Sequence, residues 1–474
     1  MSEIDLQEIK NKTTTSVIFL SLRNIGIQAI SFFGFFLLSV LLKKEEIGVF
    51  ALIVEIIGIL GYFSDVGLAA ALIQQKDEVT KDELQTTFMI QQCLVIVGLI
   101  IFWLIYHKTV GQYLWLSITL CFSFVCASLK TIPSVLLERK LNFKIISTVD
   151  VVENICFYVV AVIFAFLGFG VTSYAIAVTV RSLVGLIWLY KVSPWPIGFD
   201  FSYSALKKLF KFGIPFQLNS FIAMIKDRVP NVLVAKYIGV GNFGLLSWAQ
   251  KGPRTPLSFM DAIQRVTFPT FARIQDKKEL LTTSIKKSVF FIALFIFPAL
   301  TGIALIAPDL INLIAQYVKP DYVKWLPAVF PLYLYCISFA IAAITTPLTN
   351  AFNAVGKITI TTGLMIMWTA LTWIFFPLLS IRYGYMGTAW AALIVGSSSV
   401  VVWIIAKKLF NFSTINNIKH PLIASLLMLV VLFKANIFIK VIGGVSIYCL
   451  YQFIFSKQEI YWFLEQLKCF RTKK

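Results

Sequence analysis

The stretch SVLLKKEEIGVFAL, residues 39–52, returns in altered form as VLVAKYIGVGNFGLL, residues 232–246. Both stretches join an apolar run to the next one across a short polar turn. A repeat of this kind is typical of transporters built from two homologous halves. The matched positions are Lys43 with Lys236, Gly48 with Gly241, and Phe50 with Phe243.

Two further matches extend the repeat. GFGVTSYA (168–175) resembles GYMGTAWA (384–391), and Pro133 matches Pro347 at a similar offset. Each match joins one apolar span to the sixth span after it. Because six is an even number, the two halves have the same orientation in the membrane. The pattern predicts two six-helix lobes related by an axis along the membrane normal, with a binding site between them.

The composition is that of a multi-pass membrane protein. The 474 residues are 58% hydrophobic and only 14% charged, with a mean hydropathy of +0.83. A soluble protein has about 25% charged residues. The net charge is +19, and in a membrane protein such an excess lies in cytoplasmic loops near anionic lipid. We therefore expect membrane lipids, and not nucleic acid, as partners.

The apolar runs predict an all-α integral membrane protein. A hydrocarbon core of about 30 Å requires about 20 helical residues, and by this measure the chain has about fourteen spans. The last two fall outside the repeat and are expected to be two extra C-terminal helices. The spans are 15–42, 47–74, 86–106, 113–136, 148–167, 171–190, 209–236, 243–268, 287–307, 326–350, 358–379, 384–406, 420–437 and 439–455.

Lysine and arginine counts set the orientation. With both termini cytoplasmic, the inner segments hold about 26 of these residues and the outer loops about 8, in agreement with the positive-inside rule. The expected organisation is an N-terminal lobe (1–190), a cytoplasmic linker (191–208), a C-terminal lobe (209–408), and a last part (409–474) with two helices and a cytoplasmic tail. We expect the chain to lie in the cytoplasmic (inner) membrane of a bacterium.

No motif of an enzyme or a cofactor site is present in a suitable context. The seven cysteines are scattered, most of them inside apolar segments, and the two histidines lie at span edges, so no metal site is expected. GVGNFG (239–244) matches a dinucleotide-binding pattern, but it lies in an outer loop with no preceding strand. We expect neither catalysis nor a cofactor.

Charged residues within the apolar spans are the candidate functional groups. An ionisable group at this depth costs about 2.5–3.5 kcal/mol on insertion scales, so each one requires a partner, water or a function. We expect six basic groups to face one cavity, with acidic groups nearby. The basic groups are Arg23, Arg181, Lys226, Arg228, Lys251 and Arg254, and the acidic groups are Glu55, Asp65 and Asp227.

One short segment combines three of these charges with a helix breaker. Lys226, Asp227 and Arg228 are followed by Pro230, which has no N–H to donate to the carbonyl of Lys226. We expect an interrupted helix that meets water or protein here. Asp227 is expected to pair with Arg23 or Arg254.

Three charges are expected nearer to the inner surface. Lys130 is expected to extend its ammonium to the interface, as long basic side chains do near span ends. Asp150 and Glu153 are expected to cap helices or form pairs near the interface.

Several segments resemble the polysaccharide transporter family, the oligosaccharide-lipid flippases of the multidrug/oligosaccharidyl-lipid/polysaccharide superfamily. The resemblance extends from about residue 15 to about residue 410 and is closest to exporters of colanic-acid, O-antigen and teichuronic-acid type. Val40 stands where relatives often have an arginine. The segments are EEIGVFAL (45–52), FSDVGLAAALIQ (63–74), KTIPSVLLERKLNFK (130–144) and PLSFMDAIQRVTFPTFARIQ (256–275).

The resemblance implies a flippase for a polyprenyl-pyrophosphate-linked oligosaccharide repeat unit that serves surface polysaccharide synthesis. In this role the six basic groups would bind the pyrophosphate, because arginine binds phosphate in a bidentate manner and lysine acts as a mobile charge. The three acidic groups would balance charge or couple transport to H⁺ or Na⁺. A polysaccharide polymerase and chain-length proteins would be partners.

Two alternatives remain at this point. A cation-coupled multidrug or metabolite exporter of the same superfamily would share both lobes, although cationic drugs favour an acidic cavity. A membrane-bound polymerase or ligase has similar hydropathy but typically carries a large external loop, which these short outer loops do not provide.

Overall fold

The protein is helical throughout the part of the chain that the structure describes. This structure is a computed structural model, and it describes residues 23–459 except 25, 66, 76, 107–113, 412 and 458. His107, the start of the first predicted span and the C-terminal tail lie outside this part. No β-strand occurs in the described residues.

Eighteen α-helices and one 3₁₀-helix follow each other along the described chain. Their bounds are α1 Gly26–Leu41, α2 Lys44–Asp65, α3 Leu68–Gln74, α4 Lys81–Tyr106, α5 Leu114–Leu129, α6 Thr131–Arg139, α7 Phe143–Phe166, α8 Thr172–Val192, α9 Tyr203–Asp227, α10 Val229–Ile238, α11 Val240–Arg254, α12 Leu257–Arg273, α13 Lys278–Tyr317, the 3₁₀-helix Pro320–Ala328, α14 Val329–Ala354, α15 Ile358–Ser397, α16 Val400–Phe410, α17 Thr414–Leu432 and α18 Ile437–Phe455.

Nine helical segments of the described chain are long and apolar enough to cross a membrane. The segment Ile358–Phe410 covers two predicted spans, and Gly384 separates them because its backbone angles (φ 60°, ψ −143°) are not helical. The other predicted spans lie on α1, on α2 with α3, on α9 with α10, and on α11 with α12. The prediction of an all-helical membrane protein is confirmed.

The contacts divide the chain into two units, one up to Gly244 and one from Leu245 onwards. This division comes later than the predicted linker at 191–208, because α9 packs on α2, α3 and α4 of the first unit. The division into two six-helix lobes stays a prediction.

In the first unit, the two segments that the sequence pairs as a repeat touch each other. A Cβ added at Gly48 in α2 would collide with the carbonyl oxygen of Val240, and one added at Gly244 would collide with the carbonyl oxygen of Lys44. Glycine at both positions allows the two backbones to approach closely, as small residues do between membrane helices.

The second unit has a core built from α12 to α17. Its completely buried residues include Ile285, Leu348, Phe352 and Val402. The α18 helix packs on α13 and α17 through a stripe of buried residues at four-residue spacing, which are Lys440, Gly444, Tyr448 and Gln452. Lys440 pairs with Asp309 of α13 at 2.6 Å, and a cavity of about 760 Å³ lies beside this pair.

Substitution of Gly48 by alanine tests the close approach. We expect Gly48→Ala to destabilise the protein by about 1–3 kcal/mol, because the added methyl group forces two backbones apart. Gly61→Ala is the matched control in the same helix, since a Cβ there meets nothing within 4 Å. Thermal unfolding of the purified protein in detergent measures both variants, and equal midpoints would contradict the close approach.

Candidate functional site

Two groups of opposite charges lie between the helices of the first unit. In the first group, the guanidinium of Arg23, just before α1, donates to Asp150 of α7 at 2.9 Å. In the second group, Glu153 of α7 is 2.5 Å from Lys130 and 3.5 Å from Arg181 of α8. One turn of α7 thus supplies both acids.

Glu153 is the most buried member of these groups. Its side chain is 5% exposed, compared with 18% for Lys130 and 43% for Arg181. Gly185, one turn after Arg181, makes room for it, because an added Cβ would collide with the Glu153 carboxylate. A carboxylate this buried is stable in its charged form only with its cationic partners in place.

The Lys130 ammonium donates to Glu153 at 2.5 Å, and the Lys130 side chain is 18% exposed. Its expected reach to the interface stays a prediction. The two acids form ion pairs, as expected: Asp150 pairs with Arg23, and Glu153 pairs with Lys130. The sequence carried a signal that we did not use: the two acids are three residues apart, so they lie on one face of α7.

A cavity of about 280 Å³ adjoins these groups. The charged residues in its wall are Lys130, Glu138, Asp150 and Glu153, and its remaining wall is largely apolar. Glu138 lies close enough to Arg23 and Asp150 to interact electrostatically with both. The cavity therefore has mixed charge with an excess of acids among its wall residues.

A third group centres on Glu55 of α2. Its carboxylate accepts hydrogen bonds from Arg228 at 3.1 Å and from Asn231 at 3.2 Å. Gly58, one turn along α2, lies against the guanidinium, and an added Cβ would occupy part of its space. The Arg228 side chain is 36% exposed, so its remaining N–H groups can reach a ligand.

The predicted helix interruption lies at Arg228. The α9 helix ends at Asp227, and α10 begins at Val229 with Pro230 in its first turn, where a missing N–H costs nothing. Lys226 lies 3.2 Å from Asp227. Arg23, which we expected as one partner of Asp227, pairs with Asp150 instead.

The three remaining predicted site residues are placed as follows. Asp65 accepts hydrogen bonds from the Gln91 side chain at 2.5 Å and from the Ala69 backbone at 3.1 Å, which ties the end of α2 to α3 and α4. Lys251 and Arg254 lie in the last turn of α11, beside Pro253. Whether all six basic groups face one cavity stays a prediction, as does ion coupling by Glu55, Asp65 or Asp227.

A double-mutant cycle on Lys130 and Glu153 tests the buried pair. We expect Lys130→Gln and Glu153→Gln to show a coupling free energy of about 1–3 kcal/mol in unfolding experiments, since each change leaves the other charge without its partner. The control pair is Lys44 and Glu45, which are 4.0 Å apart and have side chains 38% and 47% exposed. Its coupling should stay below about 1 kcal/mol, and equal coupling for both pairs would contradict the assignment.

The fold is shared with solved membrane transporters. It matches the structure titled "Lipid II flippase MurJ, inward closed conformation" with a TM-score of 0.69 at 17% identity, covering 95% of this chain and 99% of that one. It also matches an inward-facing MATE family multidrug transporter of the MOP superfamily, with a TM-score of 0.58 at 15% identity, covering 83% and 94% of the two chains.

Similar sequences include a bacterial membrane protein and two biosynthesis proteins. An uncharacterised membrane protein in the cps region of Klebsiella pneumoniae is 24% identical over 94% of this chain and 96% of its own length. The Bacillus subtilis teichuronic acid biosynthesis protein TuaB is 25% identical over 62% of this chain and 61% of its own. The Escherichia coli lipopolysaccharide biosynthesis protein WzxC is 24% identical over 68% of this chain and 66% of its own length.

A family model described as "Polysaccharide biosynthesis protein" matches residues 37–317, which is more than half of the chain. The match includes α2 to α13 and hence the paired charges of α2, α7, α8 and α9. The chain is a multi-pass membrane protein, and it belongs to this polysaccharide biosynthesis protein family.

Proposed function

We propose that this protein is a flippase that moves a polyprenyl-pyrophosphate-linked oligosaccharide repeat unit across the bacterial cytoplasmic membrane for surface polysaccharide synthesis. The observation that carries the proposal is the set of arginines and lysines held by carboxylates between apolar helices. The names of two similar sequences, a teichuronic acid biosynthesis protein and a lipopolysaccharide biosynthesis protein, support the substrate class.

The chemistry of the cargo explains why such a set is useful. The cargo has an anionic pyrophosphate and polar sugars that must avoid the hydrocarbon core, and a polyprenyl tail that can remain in lipid. Phosphate oxygens accept the same bidentate hydrogen bonds from arginine that carboxylates accept. A pyrophosphate can therefore replace Glu55 at Arg228, or Glu153 at Arg181, without leaving the cation unpaired.

Glu55 and Glu153 stabilise the transporter when no cargo is bound. Without Glu55 and Glu153, the cations between the helices would repel each other and destabilise the bundle. A carboxylate displaced by pyrophosphate loses its cationic partner in a poorly hydrated place, which favours uptake of a proton. We propose H⁺, or Na⁺ in its place, as the coupling ion, with both termini in the cytoplasm and polymerase and chain-length proteins as partners.

Deletion of the gene tests the function directly. We expect lipid-linked repeat units to accumulate on the cytoplasmic face and surface polysaccharide to be lost. Chemical analysis of the extracted lipid fraction, with sided vesicles for topology, measures the accumulation. Normal surface polysaccharide without accumulation would contradict the proposal, and altered drug susceptibility instead would favour a cation-coupled exporter.

Neutralisation of Arg228 tests the role of the cations. We expect Arg228→Gln to lower polysaccharide export at least about tenfold in the complemented deletion strain, which is the effect of losing a hydrogen bond between charged groups. Arg382→Gln is the control, because Arg382 is exposed and its guanidinium lies over its neighbour Tyr383. Equal export by both variants, at equal protein levels, would rule out the role of Arg228.

A further inference from the structure

The segment between α8 and α9 does not behave as a free linker. Trp195 is 7% exposed, and its ring meets Phe88 of α4 edge-on at 5.1 Å. The ring of Phe199 lies 5.6 Å from the ring of Phe88. Leu209, early in α9, joins Trp195 in a buried cluster with α3, α4 and α6. The chain that leads into α9 is therefore packed on the first unit.

Two polar contacts fasten this segment to the start of α4. The backbone N–H of Ser202 donates to the hydroxyl of Thr86 at 3.0 Å. Lys208 donates to Glu83 at 2.7 Å, and this hydrogen bond raises the pKa of the Lys208 ammonium, which stays charged. These contacts lie at the end of the helices that the charge distribution places in the cytoplasm.

The Glu83 carboxylate has hydrogen-bond donors other than Lys208. Its side chain is 5% exposed and also accepts hydrogen bonds from Gln75 at 2.9 Å and from the Thr80 backbone at 3.0 Å. Both of these donors belong to the segment before α4 and remain if α9 moves. Lys208 is 49% exposed, so its ammonium can return to water. When the pair separates, the carboxylate keeps the hydrogen bonds from Gln75 and Thr80, which lower the cost of leaving it without a cation.

We propose that this packing is a latch: Trp195 and the Lys208–Glu83 pair hold the cytoplasmic end of α9 against α3, α4 and α6, and the latch opens once in each transport cycle. The inference rests on the proposed flippase function, since alternating access requires the cytoplasmic ends of helices to separate around the cargo. With α9 held in this way, a bulky oligosaccharide cannot pass between α9 and α4.

Cross-linking tests whether α9 must separate. In a cysteine-free background, Thr86→Cys with Ser202→Cys is cross-linked by oxidation to a disulfide, which a reductant cleaves. We expect cross-linking to lower transport of lipid-linked oligosaccharide in vesicles at least about tenfold, as loss of a required conformational step does, and the reductant to restore it.

The matched control for this cross-link is Ser123→Cys with Ser182→Cys. The two hydroxyl oxygens are 2.8 Å apart between α5 and α8, which both belong to the first predicted lobe. Cross-linking there should leave transport unchanged. Full transport by the cross-linked 86–202 variant would overturn the latch and show permanent packing.

A second readout does not depend on any substrate. Leu209 is 2% exposed, so Leu209→Cys reacts with a membrane-impermeant maleimide only when the latch opens. We expect Glu83→Gln to speed this labelling from the cytoplasmic side several-fold, whereas Lys207→Gln, which removes an exposed neighbouring charge, should not. Unchanged labelling would overturn the latch and leave the flippase untouched. Faster labelling in a protein that moves no lipid-linked oligosaccharide would support the latch and overturn the flippase.

Discussion

The first unit depends on one constraint: a charge between apolar helices must have an opposite charge or water within reach. Glu153 is the clearest example of this constraint. This buried carboxylate has one cation from the start of α6 and another from α8, and Gly185 provides the space. Removal of Lys130 or Arg181 would leave the carboxylate with one of these two cations. Helix positions, side-chain sizes and charges are therefore coupled at this point.

The same constraint makes the charged groups suitable for transport. A cation held by a carboxylate is stable without a cargo, and it can exchange that carboxylate for another anion of similar geometry. Arg228 illustrates this balance, because Glu55 holds it while a third of its side chain remains exposed. A dry and completely paired arginine could not exchange partners, and a solvated one would attract any anion.

Much of the fold could be predicted from hydropathy alone, since span length is fixed by the membrane. Each predicted span coincides largely with one helix or two consecutive helices of the described chain, and the break near Pro230 follows from its missing N–H. Pairing was harder to predict. The sequence around Lys130 did not indicate its partner, because that partner, Glu153, lies on α7. Only the packing of helices distant in sequence decides such pairs.

The packing of the predicted linker was hard to predict for a similar reason. Proline, glycine and lysine in the segment 191–208 indicate a connection, but they do not show that Trp195 has a buried place against Phe88. Composition reports what a segment can do when isolated, and tertiary contacts decide what it does in the fold.

The contact at Gly48 also limits which substitutions the two segments can accept. Each glycine faces a main-chain carbonyl of the other segment, that of Val240 for Gly48 and that of Lys44 for Gly244. Because a carbonyl belongs to the backbone, no change of side chain in the opposite segment could make room for a larger residue at either glycine. Mutations at these two glycines therefore have no compensating partner in the opposite segment.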